Sequence, residues 1–149
     1  MEITIDEWIV HFIADSRKQK DAGQFLETVF RKCDRLVAMK GGGVTQKIRW
    51  MSKASENWAL PARILVRYFL GSFLWNSEKF HLLDESNLKP VLPEIEQETP
   101  QDDRYLVKTA MNTQDKLILT TDSKLKKKLS HRQELTIHLV DEFLQQYDC

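Results

Sequence analysis

A chain of 149 residues sits near the commonest single-domain size, and its 42% hydrophobic and 30% charged content supplies one packed core, which excludes a disordered polymer. Lys plus Arg and Asp plus Glu each number 22, so the formal net charge is zero. Overall electrostatic capture of nucleic acid is thereby excluded, and any such binding needs a local basic patch.

Residues 2–5 alternate polar and apolar and read as a short strand ending at Asp6. The alternative is a helix start, since Thr4 and Glu7 have the spacing of a capping box. Either way Ile5, Trp8, Ile9, Phe12 and Ile13 form an apolar stripe that predicts a helix over residues 6–14. The acids in this stretch do not resemble the basic flank of an export signal. After a charged connector over 16–21, Phe25, Leu26, Val29 and Phe30 mark a second amphipathic helix ending near Cys33. Cys33 and Cys149 form neither a disulfide framework nor a CxxC metal pair and read as free thiols.

Residues 35–39 read as a buried strand, and Gly41, Gly42 and Gly43 then turn the chain into a helix with Val44, Ile48, Met51 and Trp58 on one side. The glycines lack the GK[ST] ending of a phosphate loop. Pro61 suits the first turn of the next helix, whose Ile64, Leu65, Tyr68, Phe69 and Phe73 make the most apolar face, expected against a sheet. The apolar stretch over 64–75 is broken by Arg67 and is shorter than the roughly 20 residues of a membrane span, so a cytoplasmic protein with no membrane association is expected.

Residues 80–83 form a candidate third strand, followed by a Pro-punctuated acidic loop over 84–100 whose Glu94, Glu96 and Glu98 read as a solvated face. Thr99, Pro100 and Asp102 have the composition of a helix start, with the helix running to about residue 112. A strand over 116–120, a basic helix over 123–129, a strand over 135–140 and a closing helix over 141–146 complete the chain. This alternation predicts one α/β domain over residues 1–149, a three-layer α/β/α sandwich with a mainly parallel central sheet.

In such sheets the functional crevice lies at the carboxyl ends of the strands, which singles out Asp122, directly after a strand. Its plainer role is to cap the helix that follows, and Asp102 and Asp103 share that ambiguity as first-turn acids. The four histidines show no ligand spacing, and Trp8, Trp50, Trp58 and Trp75 read as packing residues more than base-stacking ones.

Read as a unit, Gln101, Asp102, Asp103, Arg104, Tyr105, Leu106, Val107, Lys108, Thr109 and Ala110, then Leu117, Ile118, Leu119, Thr120, Thr121, Asp122 and Leu125, resemble the carboxyl half of PIN domains. The strand at 135–139 and the residues Val140, Asp141, Glu142, Phe143 and Leu144 resemble that family's last strand and closing helix. The resemblance implies late metal-site acids at Asp103 and Asp122 with Asp102 as neighbour, and Asp6 as the first acid. Two departures accompany it. Asp6 is followed by Glu7 and Trp8 instead of a small hydroxyl residue or Asn, and where the family has a Glu after its second strand the nearest residue is Gln46.

The resemblance implies a metal-dependent endoribonuclease, with Asp6, Asp103 and Asp122 holding Mg²⁺ or Mn²⁺. Lys124, Lys126, Lys127, Lys128, Arg132 and Arg104 would then meet RNA phosphates, against a plainer role as a solvated face. Small free-standing members are often toxins paired with an antitoxin, so RNA and an antitoxin or other protein partner are implied, with a homodimer left open. The alternative is a catalytically impaired PIN-like domain that binds RNA or protein, suggested by Gln46. A phosphate-handling regulatory α/β domain, in which Asp122 is only a cap, is a third.

Overall fold

The computed structural model describes residues 1–147, so Cys149 lies outside the described residues. Its element order is β1 (Glu2–Ile5), α1 (Trp8–Ala14), α2 (Gln19–Arg31), β2 (Arg35–Met39), α3 (Gly43–Ala54), α4 (Leu60–Phe69), β3 (Phe80–Leu83), α5 (Pro93–Glu98), α6 (Arg104–Met111), β4 (Leu117–Thr120), α7 (Ser123–Leu129), β5 (Thr136–Leu139) and α8 (Val140–Tyr147). The five strands pair in parallel in the order β3-β2-β1-β4-β5. The fold is therefore the expected three-layer sandwich, with a sheet that is parallel throughout.

Successive strand residues point to opposite faces, and both faces are buried. Ile3, Ile5, Leu36, Ala38, Leu117 and Leu119 pack with Trp8, Ile13, Phe25, Leu26, Phe69 and Val140 from α1, α2, α4 and α8. On the other face Ile118 and Ile137 meet Ile95, Leu106, Val107, Leu125 and Leu129 from α5, α6 and α7. No helix among the described residues is long and apolar enough to cross a membrane.

Several expectations change on folding. The strand β1 forms, and Thr4 is buried inside it with its hydroxyl making no hydrogen bond, so the capping box with Glu7 does not exist. Glu7 is the N-cap without a side-chain capping bond, Asp6 Oδ1 accepts from the Trp8 amide at 2.8 Å, and α1 starts only at Trp8. The apolar face of α4 turns mainly onto α1 and α2, reaching the sheet where Phe69 meets Phe80 edge-on, and Ile64 is left 57% exposed. The acidic loop contains a helix, α5, fixed by Pro93 in its first turn and by buried Ile95. Thr99 does not cap α6: its hydroxyl donates back to the Ile95 carbonyl, and residues Gln101–Asp103 form a single 3₁₀ turn ahead of the helix.

Candidate functional site

The strand order reverses direction at β1. From β1 the chain moves outward through β2 and β3, then crosses back to lay β4 on the free edge of β1, with β5 beyond. The carboxyl ends of β1 and β4 thus stand side by side with their crossovers leaving in opposite directions, which is where open α/β sheets form a crevice. Asp6 follows one of these ends and Thr120, Thr121 and Asp122 form the other.

Asp6 is held from both sides. Its Oδ1 takes the Trp8 amide, and its Oδ2 accepts the hydroxyl of Thr120 across the strand boundary. The Thr120 oxygen in turn accepts from the Asp122 amide at 3.0 Å. Asp122 Oδ1 caps α7, accepting from the amides of Lys124 at 2.9 Å and Leu125 at 3.1 Å. The indole of Trp8 donates to the Leu119 carbonyl at 2.9 Å in the buried interior, pinning the start of α1 over the end of β4.

A cavity of about 300 Å³ opens above this junction, lined by Asp6, Glu7, His11, Asp102, Asp103 and Tyr105 among others. Burial pushes the Asp6 carboxyl above the usual carboxylate range, and the charges of Glu7 and Asp122 add to the shift against the hydrogen bonds from Thr120 and Trp8. Asp103 is raised as well, first by burial, then by repulsion from Asp122, Asp6 and Asp102, with Lys128 opposing. Burial, with the negative field of Glu7, Asp6 and Asp103, pushes the Tyr105 hydroxyl above its ordinary value, so it stays protonated.

Carboxylate oxygens of this kind suit a hard divalent cation. As they stand, though, no three His, Cys, Asp or Glu side chains among the described residues are close enough to hold a metal ion together. Both Asp6 oxygens are already engaged, and Asp122 has one committed to its cap. The donor chemistry fits, and the arrangement does not close around one point.

Asp6, Asp102 and Asp103 thus meet in one cavity, with Asp122 near enough for its charge to reach Asp6 and Asp103. Gln46 does not join them. It lines a neighbouring cavity of about 280 Å³ with Glu7, Gly43, Lys47 and Trp50, its Nε2 donating to the Gly41 carbonyl at 3.2 Å. Of the basic residues, Lys126 is paired with Glu142 at 2.8 Å, and Arg132 grips Glu98 through two hydrogen bonds. Glu98, read as part of a solvated face, is therefore an ion-pair partner. Arg104 lines a third cavity, with Glu85, Glu96 and Lys108. Lys124, Lys127 and Lys128 remain exposed on α7, and Lys128 is the one whose charge reaches Asp103.

Glu7 is the residue sequence reasoning missed as a site member, because it was read as half of a capping box. It lines both the acid cavity and the cavity of Gln46. Its Oε1 lies 2.9 Å from where a Cβ at Gly43 would stand, so a larger residue there would push the Glu7 carboxylate aside. Gly41 supplies the left-handed turn before it, with φ of 75°. A carboxylate beside the first turn of α3 is also stabilised by the positive end of that helix. The one available signal was adjacency to Asp6.

No protein-family model matches the chain, and no curated protein matches it.

Proposed function

We propose that the chain is a PIN-like domain whose acid cavity takes Mg²⁺ or Mn²⁺ and hydrolyses RNA phosphodiesters. The observation that carries this is the meeting of Asp6, Glu7, Asp102 and Asp103 in one open cavity at the point where the strand order reverses. Burial and then mutual repulsion raise the Asp6 and Asp103 carboxyls, and a bound cation would relieve the repulsion. A divalent ion held by Asp6 and Asp103 would supply charge stabilisation and an activated water. Thr120 orients Asp6, Asp103 and Asp122 contribute charge, Glu7 stands in for the acid that Gln46 lacks, and Lys128 offers a cation to an incoming phosphate. A toxin role with an antitoxin partner, and a cytoplasmic setting, belong to this proposal and rest on the family resemblance alone.

The test pairs calorimetric titration with Mn²⁺ and a nuclease assay on mixed single-stranded RNA, run beside Asp103→Asn. Saturable binding and cleavage, both lost in the variant, are expected. Absence of both in the parent would sink the nuclease proposal.

A second reading, an RNA-binding domain without catalysis, is favoured by one observation: the carboxylates as they stand do not surround a common point. RNA binding that persists without any Mn²⁺ uptake would select it.

A further inference from the structure

Beside the acid cavity, sharing Glu7 with it, lies the cavity of about 280 Å³ lined by Glu7, Gly43, Gln46, Lys47 and Trp50. Trp50 is 53% exposed, unusual for an indole on a helix whose other face is packed. Its ring is held in place by Trp58 edge-on behind it, with centroids 5.9 Å apart and planes at 61°. Lys47 Nζ stands over the Trp50 ring, 5.6 Å from its centroid, so one face of that ring already carries a cation. A supported, open aromatic ring next to a cation is what an unpaired base stacks on while its phosphate finds a counter-charge.

The polar groups around the ring narrow the choice of base. Glu7 presents a carboxylate, an acceptor only. The Gln46 amide spends one donor on the Gly41 carbonyl and keeps its oxygen and a second N–H. A base edge that meets the Glu7 carboxylate must carry donors. Guanine presents two adjacent ones, N1–H and the N2 amino group, whereas adenine and cytosine present one amino group and uracil one N–H between two carbonyls.

We infer that Trp50, Lys47, Glu7 and Gln46 form a subsite for an unpaired guanine base of single-stranded RNA, adjoining the acid cavity through Glu7. This rests on the proposal that the acid cavity handles RNA, and it names the substrate as single-stranded with a guanine near the phosphodiester at the acids. The exposure of Trp50 also raises a protein-docking face as a competing use, and the Glu7 that this cavity shares with the acid cavity argues against it.

The experiment measures fluorescence anisotropy of labelled oligouridines of about ten nucleotides, a usual site size, with and without one central guanosine, in EDTA so that no cleavage occurs. The guanosine oligomer should bind more tightly than all-uridine or a matching duplex. Trp50→Leu, which keeps apolar bulk but removes the aromatic face, should weaken binding by about 5- to 100-fold, and Trp50→Phe should stay close to the parent. Glu7→Gln should abolish the preference for guanosine over uridine. Unchanged affinity in Trp50→Leu, equal affinity for duplex, or a Trp50→Leu effect confined to sedimentation would each overturn the subsite. Trp50-dependent binding in EDTA alongside no Mn²⁺ uptake would remove the nuclease proposal and leave the subsite standing. Mn²⁺ uptake with a silent Trp50→Leu would do the reverse.

Discussion

Thr120, at the end of β4, donates its hydroxyl to Asp6, at the end of β1, while accepting the Asp122 amide on the same oxygen. Two acids 116 positions apart in sequence are thereby tied through one side chain at the junction of two neighbouring strands.

Replacing Thr120 by Val keeps the shape and removes that bridge. The half-buried Asp6 carboxylate then loses a donor, which costs up to about 1.5–3 kcal/mol for a hydrogen bond to a charged group. Urea unfolding should show the loss with an unchanged denaturant slope, and Thr120→Ser should restore most of it. The Asp6 carboxyl should also titrate higher in Thr120→Val, because one of the two hydrogen bonds that oppose its upward shift is gone.

Asp6 and Asp103 have carboxyls raised above their ordinary value of 3.8 in the folded protein, so in that window the folded state binds more protons than the unfolded one. Their contribution to stability is therefore fully present below the unfolded value and falls as pH rises toward the raised one. Asp103→Asn removes one of these charges. Without metal, that variant should melt at or above the parent at pH 7 and lose less stability than the parent between pH 4 and pH 7. Thermal melts across that range check it, and a variant less stable than the parent at pH 7 would contradict the repulsion.

Mn²⁺ at about 100 times its dissociation constant should stabilise the parent by about 2.7 kcal/mol. Asp103→Asn and Glu7→Gln should each lose much of that gain. Gln46→Glu should change it by less than about half of what Glu7→Gln does, since Gln46 lines the adjoining cavity and Glu7 lines both. A large gain in metal affinity from Gln46→Glu would return Gln46 to the acid site and displace Glu7 from it.

The α7 lysines separate by their partners. Lys127→Ala and Lys128→Ala should each flatten the log–log salt dependence of single-stranded RNA binding by up to about 0.7. Lys126→Ala should change it less, since Lys126 is already paired with Glu142. Slopes unchanged from the parent in all three variants would make α7 a solvated face and nothing more.

Asp122→Ala should cost about 1 kcal/mol from the lost cap whatever its charge does, whereas Asp122→Asn keeps a competent cap. Comparing the two melts separates the capping role from the electrostatic one.

The strands and most helices were legible in the sequence because burial periodicity is a local signal. Residues 35–39, 80–83 and 123–129 have the bounds they were assigned. A parallel α/β architecture followed from the alternation of those elements, and Asp122 stood out because it directly follows an apolar strand. What the sequence left undecided was every relation that depends on which strand ends lie together. The order β3-β2-β1-β4-β5 makes β1 and β4 neighbours, and that adjacency joins Asp6 to Thr120 and lets Asp6, Asp102 and Asp103 share a cavity. Packing also turned Glu7 toward Gly43, set Gln46 and Trp50 in an adjoining cavity, and paired Arg132 with Glu98 and Lys126 with Glu142. Charge pairing and cavity lining are fixed by side chains brought together from distant positions, and periodicity carries information only over the few residues of a turn or a strand.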